Sequence, residues 1–69
     1  MGFYVLLEYV WTERDNPKYY LFNTFEEARN AMKERCNFLA DNYRSIEDDY
    51  AECSDKHAEE HWWNILKIH

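Results

Sequence analysis

From Phe3 to Trp11 (F-Y-V-L-L-E-Y-V-W) the chain is apolar or aromatic at every position but Glu8. An unbroken run of β-branched and aromatic residues suits a central strand covered on both faces. Thr12 to Pro17 reads as a turn, because Asp15 and Asn16 favour turn backbone and Pro17 cannot donate to a central ladder. Lys18 to Asn23 then reads as the return strand of a hairpin.

The period changes at Thr24. Thr24-Phe25-Glu26-Glu27 carries a capping-box signature, with Thr24 as N-cap and Glu27 at N3. Apolar positions then recur at helical spacing: Phe25, Ala28, Met32, Cys36, Leu39 and Tyr43. Neither Gly nor Pro follows Pro17, and the spacing continues through Ile46, Tyr50, Cys53 and His57. The chain therefore reads either as one long helix or as two, with Ser45 and Asp48 marking a second N-cap. Trp62 to His69 returns to apolar and β-forming residues and reads as a third strand.

These elements predict a single small α+β domain over residues 1–69, β-β-α-(α)-β, with a three-stranded antiparallel sheet in order 2-1-3 and the helix packed on one face. Period-2 alternation places Phe3, Val5, Leu7, Tyr9 and Trp11 on one side of strand 1 and Tyr4, Leu6 and Val10 on the other. Both sets are apolar. One short helix covers one of them, and monomers rarely expose the other as a contiguous patch. The expectation is a second helix, a twin subunit or a partner on the remaining face, with a homodimer or higher oligomer preferred.

Composition sharpens this picture. Thirteen of 69 residues are aromatic, a large apolar supply for a chain with a net charge of −6. Residues 41–60 hold eight acids against two bases and so carry the whole of that charge, while the remainder is balanced. A basic nucleic-acid-binding surface is excluded. An acidic docking surface for a basic protein partner is the functional reading, on Glu47, Asp48, Asp49, Glu52, Asp55, Glu59 and Glu60. A solvated acidic face that keeps the protein soluble is the simpler reading of the same residues. The aromatic residues expected at an interface are Tyr4, Trp11, Tyr20, Trp62 and Trp63.

Catalytic chemistry finds little to stand on. His57-Ala58-Glu59-Glu60-His61 matches the H-x-x-E-H pattern of inverted zinc peptidases, but over five residues only. On a helix, Cys53, His57 and His61 would form a stripe that needs a fourth ligand such as Cys36 or His69 to close around zinc. No glycine-rich phosphate loop exists, since the only glycine is Gly2. Ser45 and Ser54 read as caps. The expectation is a non-enzymatic protein with no cofactor, no metal requirement and two reduced thiols, Cys36 and Cys53. No apolar run approaches the ~20 residues of a membrane span, and Phe3 to Leu7 lacks the features of a signal peptide. Gly2 could open a myristoylation motif, but Leu6 stands where that motif wants Ser or Thr. A cytoplasmic location without membrane attachment is therefore expected.

Small size, acidity confined to residues 41–60, one glycine, one proline and abundant aromatics resemble phage-encoded inhibitors of bacterial defence, including anti-CRISPR proteins. That resemblance implies a binding inhibitor in the host cytoplasm, with residues 47–60 imitating nucleic-acid phosphate in a basic groove. Two other classes compete with it. One is an oligomeric sponge for a nucleotide, in which Trp11, Trp62 and Trp63 stack the base and Arg14, Lys18, Arg29, Arg35 or Lys67 meet the phosphate. The other is a structural assembly subunit.

Overall fold

The computed structural model describes residues 2–68. β1 (Phe3–Val10) leads through a short 3-10 turn (Trp11–Glu13) into β2 (Lys18–Phe22). Helix α1 (Phe25–Leu39) follows, then β3 (Tyr43–Ile46), β4 (Tyr50–Ser54) and β5 (Glu60–Ile68). The five strands form one antiparallel sheet in the order β2-β1-β5-β4-β3.

This corrects the three-stranded plan. The apolar run of β1 lies between β2 and the C-terminal strand. However, β5 has a second edge, and a hairpin from residues 43–54 pairs it where a helix was expected. Ser45 is a strand residue, not an N-cap. The segment Glu47 to Asp49 turns the hairpin: the Glu47 N–H donates to the Tyr50 carbonyl at 2.7 Å, and the Asp49 carbonyl accepts from Ile65 N at 3.0 Å. The helical spacing of Ile46, Tyr50 and Cys53 is also compatible with two short strands joined by a turn. The core contact of Ile46, Ala51 and Cys53 comes from strand alternation on the two arms of the hairpin.

Helix α1 starts where its sequence requires. The Glu27 N–H donates to Thr24 Oγ1 at 3.1 Å, and the Thr24 N–H donates to Glu27 Oε1 at 3.2 Å, closing the capping box. Thr24→Ala removes one of these bonds and should cost about 1 kcal/mol, read from urea melts of the two proteins. The helix ends at Leu39 without Gly or Pro because the chain is pulled aside. Ala40 takes extended backbone while its N–H still reaches the Cys36 carbonyl at 2.9 Å. The N–H groups of Asp41 and Asn42 both donate to the Ser54 carbonyl. That stop is tertiary, so Tyr43 begins β3 and is exposed.

The helix packs on the face carrying Leu6, Ala51, Cys53, Trp63 and Ile65, against its own Ala28, Met32 and Cys36. Small residues on both sides of this contact let the helix approach the sheet closely, and Trp63 fills the space that remains. Among the described residues, no helix is long and apolar enough to cross a membrane.

Candidate docking surface

Register fixes the side opposite the helix. Tyr4, Leu6 and Phe22 pack toward α1, so Phe3, Val5, Leu7 and Tyr9 of β1 face away, together with Tyr19 and Leu21 of β2. On β5 the same side carries Trp62, Asn64, Leu66 and Ile68, paired with Tyr9, Leu7, Val5 and Phe3. Among the described residues, no element covers this face. Tyr19 and Leu21 are 67% and 61% exposed, and Phe3, Leu66 and Ile68 are exposed as well. Val5 alone is buried, shielded at the centre by its larger neighbours.

One end of the face is an aromatic ladder. Tyr9 stacks flat on Trp62, with centroids 5.2 Å apart and planes 3° from parallel. Trp11 leans on Trp62 at 6.5 Å, and the Arg14 guanidinium lies over the Trp11 ring at 4.4 Å. Of the aromatics expected at an interface, Trp11 and Trp62 belong to this ladder. Tyr20 is exposed on the helix side of β2, and Tyr4 packs edge-on against Phe25 at 5.8 Å. Trp63 is fully buried and meets no surface, so that assignment is corrected. The doublet Trp62-Trp63 thus splits between the two faces by strand alternation alone.

The acidic window is not a helical surface, because residues 41–60 contain no helix. Its acids separate. Glu47, Asp48 and Asp49 sit at the β3–β4 turn, where Asp48 meets Arg29 at 3.3 Å. Asp55 and Glu59 lie in the β4–β5 connection and Glu60 opens β5, at the other end of β4. Glu52 lies between, on the uncovered side of β4, and accepts the Tyr50 hydroxyl at 2.8 Å. Burial and then this bond to Glu52 push the Tyr50 phenol up to about 12. The Tyr43 phenol is raised as well, chiefly through a hydrogen bond with Glu52.

Asp55 organises its loop. Its Oδ1 accepts the N–H of His57 at 2.8 Å and of Glu59 at 3.0 Å, and its Oδ2 accepts His61 Nε2 at 2.8 Å. The bond from His61, followed by the backbone N–H of Glu59, holds the Asp55 carboxyl down at about 2. Ala58 adopts a left-handed backbone (φ 62°), which lets the loop close over the carboxylate. The ligand atoms of Asp55, Glu59 and His61 lie within 4.8 Å of one another, a set that could hold a cation. Both Asp55 oxygens are already engaged, and loop closure accounts for the cluster. The stripe of Cys53, His57 and His61 does not form: Cys53 is in β4, His57 in the loop and His61 in β5. His69 lies outside the described residues.

Beneath the sheet, Glu8 explains the one polar break in β1. It is 9% exposed, accepts Arg35 through both carboxylate oxygens at 2.9 and 3.1 Å, and accepts Trp63 Nε1 at 2.8 Å. Burial raises its pKa, but the hydrogen bonds from Arg35 and Trp63 outweigh that effect, and the carboxyl sits below its ordinary value. The thiols are poor nucleophiles. Burial pushes Cys53 up to about 12 and raises Cys36 too, so neither is a thiolate near neutral pH. Of the cations proposed for a nucleotide phosphate, Arg14 lies over Trp11 in the ladder, while Arg29 and Arg35 are engaged by Asp48 and Glu8 on the helix side, away from Trp62.

No family model, curated protein or solved structure matches the chain. The class defined by fold and surface is a small α+β protein with one helix-covered and one uncovered sheet face.

Proposed function

We propose that the protein acts by binding another polypeptide, without catalysis, and that the uncovered sheet face is the docking surface. The observation that carries this reading is the contiguous exposed apolar and aromatic face of β2, β1 and β5, of a kind that monomers rarely leave open. The acidic turns supply a second feature. Glu47, Asp48 and Asp49 at one end, and Glu59 and Glu60 at the other, add negative potential that steers a basic protein toward the molecule. A small inhibitor of the type that the composition resembles would use both.

Photo-crosslinking tests the docking face. Benzoylphenylalanine replaces Leu21 on the uncovered face or Phe38, which is 79% exposed on the helix. Protein adducts formed from position 21 and not from position 38 support the reading. Equal labelling from both, or none from position 21, contradicts it.

A further inference from the structure

We propose that the occupant of the uncovered face is a second copy of this chain, packed sheet against sheet around a two-fold axis. The inference rests on the docking-face reading above and commits it to a partner.

Charge selects the occupant. On this side, β1, β2 and β5 from Trp62 onward carry no acid or base, because Glu8, Lys18 and Lys67 all alternate to the helix side. A nucleic acid, a headgroup layer or a basic protein gains its affinity from charge, and this patch offers only Arg14 at its Trp11 end and Glu52 at its β4 edge. The chain otherwise carries a net charge of −6. Two copies therefore repel through most of their surface, and the neutral face is where they meet without placing like charges opposite one another. Such a contact is self-complementary, as a two-fold interface requires.

Shape and size agree. Two sheet faces pack about 10 Å apart with strands inclined by about 30°, burying the inward residues of both. The strands lie about 4.8 Å apart and rise about 3.4 Å per residue, so the patch is roughly 14 Å wide, about 27 Å long on β1 (Phe3–Val10) and about 17 Å long on the shorter β2 (Lys18–Phe22). Two such faces, roughened by side chains such as Tyr19, Leu21 and Leu66, remove somewhat less than about 1,000 Å² of accessible surface, the size of a weak, reversible interface. The dimer is accordingly modest in size and dissociates on dilution. β3 and β4, with Glu52, lie to one side of the patch. That leaves the Glu47–Asp49 turn of each copy free for a basic partner.

Sedimentation velocity over a dilution series from high to low micromolar tests the proposal. The wild-type chain is expected at twice its 8.6 kDa mass at high concentration, falling toward 8.6 kDa on dilution. Leu21→Glu and Leu66→Glu, on exposed positions of neighbouring strands, should each weaken self-association by at least about tenfold. Phe38→Glu on the helix should leave it unchanged. Circular dichroism checks that each variant is folded. A folded wild-type protein that stays at 8.6 kDa throughout overturns the second-copy inference. If position 21 still crosslinks a foreign protein, the docking-face reading stands without it. A wild-type dimer that both folded glutamate variants retain shows association through another surface and overturns the inference.

Discussion

Trp63→Ala is expected to remove a large share of the protein's folding stability. Trp63 is the largest fully buried side chain, set on β5 between Glu8 of β1 and Ala51 of β4. Its truncation opens a cavity worth about 3 to 5 kcal/mol. A domain of this size has roughly 3 to 10 kcal/mol of total stability. Because Ala51 is small and cannot fill the space, relaxation recovers little. Trp63→Phe keeps most of the volume and loses only the Nε1 donor, so its cost should be clearly smaller. Urea melts followed by far-ultraviolet circular dichroism separate the two. An alanine variant within about 0.5 kcal/mol of wild type would place Trp63 outside the core.

The second large effect falls on Glu8. Glu8→Ala leaves the Trp63 N–H without its acceptor inside the core and removes both Arg35 bonds. Arg35 is 43% exposed and turns to water, so the loss should be about 2 to 3 kcal/mol, below that of a fully buried pair. Glu8→Gln keeps an acceptor for Trp63 and loses the charge. Since the folded carboxyl lies below the ordinary glutamate value of 4.5, its ionised form stabilises the native state. That contribution is fully present above pH 4.5 and is lost as pH falls through the folded value. The gap between wild type and Glu8→Gln should therefore be widest near neutral pH and shrink below pH 4. A gap that is constant with pH would mean that the Arg35 pair contributes no net stability.

These two residues also show what sequence alone could and could not reveal. Glu8 is visible as the one break in an apolar strand, but its partner is 27 positions away in α1 and no local signal names Arg35. The capping box at Thr24 and Glu27 is legible because every group it needs lies within four residues. The β3–β4 hairpin is not. Its apolar residues are few, Ile46, Ala51 and Cys53, and over such short strands helical and strand spacings overlap. What decides the outcome is the unpaired edge of β5, a tertiary fact. The turn chemistry of Glu47-Asp48-Asp49 was the available signal. The uncovered face was legible in part. Two apolar sides of β1 required two covers, but which side α1 takes depends on its small residues meeting Ala51 and Cys53. The acidic window is legible in the sequence but is divided by the fold, since a hairpin turn and a loop send its acids, apart from Glu52, to opposite ends of β4.

Hydroxyl-radical footprinting of the purified protein at high micromolar concentration tests most directly whether a second copy covers the uncovered sheet face. Phe38 provides an internal standard, being aromatic and exposed on the helix. Tyr19, Leu21 and Leu66 should oxidise far less than their single-chain exposure allows and regain reactivity on dilution, while Phe38 reacts fully throughout. Oxidation of the face residues in proportion to their single-chain exposure at every concentration would contradict cover by a second copy.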